Sequence, residues 1–131
     1  MKQFTFSERD HAFKVQLPDG NIEDRAEKVG DLAKIKGCLD SIARDKAIDY
    51  AESRIRDEIE DAAKAAFEGN DKKYPFDLVV DDALAGHLVR IVKGTGWVRR
   101  GPDIRGFLDA IDAVKDVEVK KGKVTEKGVE K

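Results

Sequence analysis

Residues 93–106, with the sequence KGTGWVRRGPDIRG, combine the residue types that bind anions in proteins. The segment holds the only tryptophan of the chain together with arginines, a lysine and several glycines. Guanidinium groups bind phosphate or carboxylate through paired hydrogen bonds, glycines let backbone N–H groups approach an anion, and an indole ring can stack on a base. The predicted ligand-binding residues are Lys93, Gly94, Gly96, Trp97, Arg99, Arg100 and Arg105.

The charge distribution sets this segment apart from the rest of the chain. The whole protein carries 25 basic and 27 acidic side chains, which gives a net charge of −2. Residues 86–106 reverse this balance, because five basic residues accompany one acidic residue and give +4. A second interpretation needs no ligand: Trp97 would cover the core, and Arg99 and Arg100 would pair with an acidic helix predicted at 46–68. The sequence leaves both interpretations open.

The chain contains no set of residues with the spacing of a catalytic or metal-binding motif. Cys38 is the single cysteine, which rules out a zinc-finger spacing, and it falls among apolar helix positions where a buried packing thiol is expected. Neither His11 nor His87 has a carboxylate four residues away. Aspartate and glutamate are abundant enough for acid–base catalysis, but nothing selects two of them. The sequence therefore predicts no catalytic residue, no metal and no cofactor, and it favours a protein that is not an enzyme.

The N-terminal part is predicted to form a β-hairpin followed by helix. Apolar residues alternate with polar ones on both sides of a polar connection at residues 7–11, which predicts a hairpin over residues 3–17. A Pro-Asp-Gly turn then stops the second strand. Asn21 is predicted to cap a helix with Asp24 as its reciprocal partner, and a helical region is expected over residues 22–68.

The helical elements that follow are predicted from apolar spacing. Residues 31–68 form either one helix or two, and the clearest periodicity lies in 46–68. The apolar stripe from Leu32 to Ala66 is longer than the predicted hairpin and the later helices can cover, which predicts a homodimer through the long helix. A C-terminal helix pair is expected over 77–116, with Asp77 as its first cap and Pro102 in the first turn of its second helix.

Together these elements predict a mostly α-helical α+β protein, with an N-terminal hairpin packed on a long helix, a C-terminal helix pair and a tail. One domain is expected over residues 1–119. Residues 120–131 are expected to be disordered, because their few apolar side chains cannot offset the ordering entropy. The chain lacks an apolar run long enough for a membrane span and the apolar core of a secretory signal, so a cytoplasmic protein without a membrane partner is predicted.

The predicted function is that of a small non-enzymatic binding protein that captures an anionic ligand, a nucleotide or a nucleic acid, through residues 93–106. The alternative is a protein–protein interaction module, such as a regulator or an inhibitor, that acts through its acidic helix or its hairpin. A chain of 131 residues of which 40% are charged also suits the accessory proteins of phages and mobile elements.

Overall fold

The computed structural model describes residues 1–41, 47–97, 100–120 and 123–126. Within these ranges the chain forms a mixed α+β fold. In chain order its elements are β1 (Lys2–Phe6), β2 (Glu8–Gln16), β3 (Ile22–Gly30), α1 (Asp31–Asp40), α2 (Tyr50–Gly69), β4 (Phe76–Val80), α3 (Asp82–Gly94), α4 (Pro102–Asp112), β5 (Lys115–Lys120) and β6 (Lys123–Glu126).

An antiparallel sheet with the strand order β4-β1-β5-β6 forms one side of the core. The register between β1 and β4 runs from Lys2 opposite Val80 to Phe6 opposite Phe76. Alternate side chains of a strand point to the same face, and in β1 the buried pair is Phe4 and Phe6, whose rings stack 5.7 Å apart. The first strand of the chain therefore lies inside the sheet and carries part of the core.

The helices supply the rest of the core. Asp49 starts α2 by accepting a hydrogen bond from the Glu52 backbone N–H at 2.8 Å, and Asp81 starts α3 in the same way with Leu84 at 2.7 Å. The largest fully buried side chains come from both layers: Phe4, Phe6, Phe76, Leu78, Ile35, Ile59, Leu88, Phe107 and Ile111.

The predicted hairpin over residues 3–17 is wrong. β1 and β2 follow each other with only Ser7 between them, and β2 pairs instead with β3 in a separate two-stranded sheet. The turn between these strands is the one that the sequence indicates: Gly20 has a positive φ of 88°, and the Leu17 N–H donates to the Asn21 carbonyl at 2.8 Å. The Gly20 N–H donates to the Leu17 carbonyl at 2.9 Å and closes the turn, so Asn21 pairs with Leu17 across it and does not cap a helix.

The predicted helical region over residues 22–68 is a strand followed by two helices. β3 takes its first nine residues, which pair along their whole length with β2. α1 ends at Asp40, and α2 starts only at Tyr50, after the cap residue Asp49. The question of one helix or two is thereby answered in favour of two. Because the first nine residues of the predicted helical region and the start of the predicted helix pair form strands, the fold is mixed and not mostly α-helical.

The predicted helix pair over residues 77–116 starts later and ends earlier. Residues that were expected to open its first helix form β4, where burial alternates with a period of two. Asp81 caps α3 at Asp82, whereas Asp77 lies in the strand and accepts a hydrogen bond from β1 at 2.7 Å. The start of α4 at Pro102 is confirmed, and β5 follows this helix.

The apolar stripe of α2 is covered by the protein's own core. Ile59 and Ala63 are buried, and Ile55, Ala66 and Phe67 pack against the buried cluster. The predicted homodimer through this helix requires an apolar stripe that the protein's own core leaves uncovered. Burial of this stripe therefore gives the predicted homodimer no support.

The end of the chain contains a strand where the sequence predicts disorder. Residues 123–126 form β6 and pair with β5. The other predicted tail residues, 121–122 and 127–131, lie outside the part of the chain that the structure describes. The predicted domain limits of 1–119 stay a prediction.

Candidate functional site

The predicted binding segment connects α3 to α4. At the end of α3 the Thr95 backbone N–H donates to the Val92 carbonyl at 3.2 Å, and its hydroxyl donates to the Ile91 carbonyl at 2.8 Å. Gly101 is the N-cap of α4, and Pro102 follows in the first turn, where its missing N–H costs no helical hydrogen bond. The segment is therefore held at both ends by the termini of well-formed helices.

Trp97 attaches this connection to the core. Its ring meets the buried Phe107 ring edge-on, with the ring centroids 6.0 Å apart and an interplanar angle of 68°. The Trp97 side chain is only half-buried, so part of the indole stays accessible from outside. An edge-to-face contact with a buried ring holds the orientation of the indole.

One groove brings three of the predicted ligand residues together. Trp97, Arg100 and Arg105 line a groove of about 870 Å³ at the start of α4. The remaining lining residues are glycine, proline or aliphatic: Gly101, Pro102, Ile104 and Leu108. Arg100 and Arg105 are exposed, and neither forms an ion pair with a carboxylate in the ranges that the structure describes. The groove therefore combines an apolar lining with two uncompensated positive charges.

The other predicted ligand residues do not join this groove. The Lys93 Nζ lies 3.9 Å from the Asp112 Oδ1 in an exposed ion pair. Gly94 and Gly96 line a second groove, of about 660 Å³, between α2 and α3. Arg99 lies outside the described residues. The predicted set is thus divided over separate surfaces.

The cations of the second groove are already engaged within the protein. Arg56 donates from Nη1 to the carbonyls of Leu39 at 2.8 Å and Ser41 at 2.9 Å. Glu52 accepts from Arg56 Nε at 3.2 Å and from Arg90 Nη2 at 2.9 Å. Burial alone would raise the pKa of Glu52, but the hydrogen bonds from Arg56 and Arg90 lower it below its ordinary value. An anion entering here would compete with this carboxylate, so the second groove is the weaker anion site.

Five charged or titratable side chains form a largely buried cluster at the base of the β2–β3 hairpin. Asp31 and Asp103 are fully buried, and Arg9 donates from Nε and Nη2 to Asp31 at 3.0 Å each. The Lys34 Nζ lies 3.8 Å from Asp31 and 3.5 Å from Asp103, and the His11 Nδ1 lies 3.8 Å from Asp103. Two carboxylates thus balance two permanent cations. The ion pairs of the cluster join β2, α1 and α4.

The sequence analysis missed this cluster, because its members come from three elements that are far apart in the chain. Two glycines next to the cluster, Gly30 and Gly106, mark the places where its elements approach each other. A Cβ on Gly106 would come within 2.6 Å of an Arg9 nitrogen, and a Cβ on Gly30 would come within 2.0 Å of the Tyr74 hydroxyl. Neither glycine has a positive φ, so each marks a place where two elements approach closely. None of the five charged side chains lines either groove, which indicates a structural role.

The structure gives Cys38 the buried position that the sequence predicts, with 1% of its surface exposed. Burial raises the pKa of the thiol, and contacts with Thr95 and Arg56 offset this only in part. A thiol with a raised pKa is a poor nucleophile at neutral pH. Across the described ranges no group of three or more His, Cys, Asp or Glu side chains could hold a metal ion, and no helix is long and apolar enough to cross a membrane.

Comparisons of the chain with protein-family models, with curated proteins and with solved structures give no match.

Proposed function

We propose that this protein binds an anionic ligand with a planar ring, a nucleotide or a segment of nucleic acid, in the groove lined by Trp97, Arg100 and Arg105. The observation that carries the proposal is the pair of guanidinium groups without carboxylate partners in the described ranges, beside a half-buried indole. Elsewhere in the protein, Arg9, Arg56 and Arg90 are held by carboxylates.

The groove offers a different contact to each part of such a ligand. Guanidinium groups donate paired hydrogen bonds to phosphate oxygens, and the accessible indole surface suits stacking of a base. Ile104 and Leu108 add apolar surface beside the tryptophan. The volume of about 870 Å³ falls within the usual range for small-molecule sites, roughly 300–1,000 Å³.

The proposal is for binding without catalysis. Among the residues that the structure describes, none that lines the groove is a histidine, cysteine, serine or carboxylate, so this lining offers no general base and no nucleophile.

A thermal-shift screen against mononucleotides and single-stranded oligonucleotides tests this proposal. A ligand that binds only the folded state raises Tm, and a contact with phosphates weakens as salt rises. We expect a nucleotide or an oligonucleotide to raise Tm at low salt and to lose most of that effect at high salt. The variant Arg100→Glu/Arg105→Glu is expected to keep the Tm of the unliganded protein and to lose the shift.

The matched control is Arg54→Glu/Lys73→Glu, which changes the net charge equally at two exposed positions on α2 and in the connection to β4. This control should retain the ligand-induced shift. An equal loss in both double variants would indicate general charge attraction, and an absence of any shift with the wild-type protein would contradict the proposal.

A second candidate function is interaction with a basic protein partner through the acidic face of α2. Asp57, Glu58, Asp61 and Glu68 are exposed, and none forms an ion pair with a cation in the described ranges. Carboxylates at this spacing repel each other along a helix, as Asp57 and Asp61 do, and a basic partner would relieve that repulsion. The groove variant distinguishes the two functions, because it leaves this face unchanged.

A further inference from the structure

The β2–β3 hairpin projects from the rest of the protein with most of its surface uncovered. Every residue from 22 to 28 is exposed, and Ile22 keeps 68% of its surface accessible. The hairpin is a sheet of only two strands, so each strand also has an edge without a neighbour in the described fold. An exposed strand edge is a template for pairing with another chain.

The hydrogen-bonding groups of β3 that face outward can be identified from the turn. Leu17 and Asn21 form a hydrogen-bonded pair, and such pairs alternate along an antiparallel ladder. The register keeps Ala12 opposite Ala26 along an unbroken ladder. Ala26 is therefore in a non-hydrogen-bonded pair with β2, and its N–H and C=O point away from the hairpin. The backbone N–H and C=O groups of Asp24 and Lys28 point away from the hairpin for the same reason.

The charges along β3 are arranged symmetrically with opposite signs around Ala26. Asp24 and Arg25 precede it, and Glu27 and Lys28 follow it. If two β3 strands pair antiparallel about a twofold axis at Ala26, each Asp24 lies opposite Lys28 of the second copy. In the same register each Arg25 lies opposite Glu27 of the second copy. Opposite charges directly across a ladder stabilise strand pairing.

We propose that two copies of this protein associate through β3, which joins their hairpins into one four-stranded antiparallel sheet. On the face that carries Asp24 and Lys28, opposite charges alternate from strand to strand across this sheet. Within each hairpin Asp24 already lies opposite Lys14, and Lys28 lies opposite Asp10. The Lys28 Nζ lies 2.7 Å from the Asp10 carboxylate. Asp24 would then lie between Lys14 of its own hairpin and Lys28 of the second copy. Lys28 would likewise lie between Asp10 of its own hairpin and Asp24 of the second copy.

The edge of β3 suits this pairing better than the edge of β2. Arg9 and His11 of β2 are engaged with the carboxylates of Asp31 and Asp103, and β2 packs against α4. A second copy on that edge would have to fit beside α4. The surface is different from the groove, so the result of this inference leaves the nucleotide-binding proposal untouched.

Two proline variants test the position of the interface. Because the N–H of Ala26 points away from β2, Ala26→Pro removes a hydrogen-bond donor from the β3 edge and keeps the ladder of the hairpin. Ala12→Pro is the matched control, since Ala12 lies directly opposite and its N–H points to the edge of β2. In sedimentation experiments at micromolar concentration we expect a wild-type dimer, a monomer for Ala26→Pro and a dimer for Ala12→Pro.

Two charge variants test the register. Asp24→Lys places lysines opposite lysines in a homodimer, and Lys28→Asp places aspartates opposite aspartates. Each variant alone should dimerise at least about tenfold more weakly than the wild type. An equimolar mixture restores opposite charges at all these positions, so it should form a heterodimer. Circular dichroism of each variant checks that the strands are retained.

A wild-type protein that stays monomeric at these concentrations would overturn the inference. A dimer that survives Ala26→Pro would overturn it as well, and one that dissociates with Ala12→Pro instead would assign the interface to β2. A mixture of the two charge variants that remains monomeric, with its strands intact, would contradict the register.

Discussion

The carboxylate of Asp31 is among the most heavily contacted polar groups of the protein. It accepts hydrogen bonds from the Arg9 guanidinium at 3.0 Å and from the Ser7 backbone N–H at 2.8 Å, and Lys34 lies 3.8 Å away. In return the Asp31 backbone N–H donates to the Ser7 carbonyl at 3.0 Å. These contacts hold the point where the chain leaves β1 for the hairpin, so one side chain fixes the direction of β2.

Asp31→Asn should lower the free energy of unfolding by about 3–5 kcal/mol, because Arg9 loses its buried carboxylate partner and Asp103 alone is left to balance Arg9 and Lys34. The control is Asp112→Asn, which removes the carboxylate of an exposed pair at 3.9 Å and should cost less than about 1 kcal/mol. Urea denaturation of both variants measures the difference. Equal losses for the two variants would contradict a special role for the buried cluster.

Helices with a buried stripe are the elements that the sequence predicts well. α2 has such a stripe, and so does α4, which starts at Pro102 as expected. β3 has none, because its residues are exposed on both faces, and polar residues alone do not distinguish a strand from a helix. Pairing with β2 decides its conformation, and that is a contact between residues distant in sequence.

For the candidate site, too, the sequence predicts what depends on neighbouring residues and misses what depends on contacts between distant elements. The composition of one short segment predicts Trp97, Arg100 and Arg105, which line one groove. The groove itself depends on how α4 packs, and the charged cluster beside the hairpin depends on three elements meeting. Neither follows from local residue spacing.

The connection between α2 and α3 should be sensitive to acid through Glu52. Its pKa in the folded protein is lowered, so the ionised form stabilises the fold above the pKa of the unfolded chain, and this contribution is lost as the pH falls through the folded pKa. At neutral pH, Glu52→Gln should be less stable than the wild type by about 1 kcal/mol or less, since the pair is partly exposed.

Thermal or urea denaturation at a series of pH values, from neutral to well below the pKa of about 4.3 that glutamate has in an unfolded chain, measures this effect. The two proteins should differ at neutral pH and converge in acid. A difference that does not change with pH would mean that the substitution acts through packing.

At the scale of the whole molecule, the larger sheet joins elements that are far apart in the sequence. β1 lies between β4 and β5, so the first strand pairs with residues from the middle and from the end of the sequence. The Val117 N–H donates to the Met1 carbonyl at 2.9 Å, and the Val117 side chain is buried with 2% of its surface exposed. Within the described residues β6 pairs with β5 alone, so it forms an edge of this sheet.

This arrangement predicts that one truncation lowers Tm strongly and that a second, shorter one hardly changes it. Ending the chain after residue 114 removes β5, a buried valine and one side of β1, and should lower Tm by more than about 10 °C. Ending it after residue 120 keeps β5 and, among the described elements, removes β6 alone, so we expect a change within about 3 °C. Calorimetry of the two truncated chains and the full chain measures both effects. If the shorter deletion proved as damaging as the longer one, β6 or the residues after it would be part of the cooperative fold, and the sheet would need its last strand as much as its first.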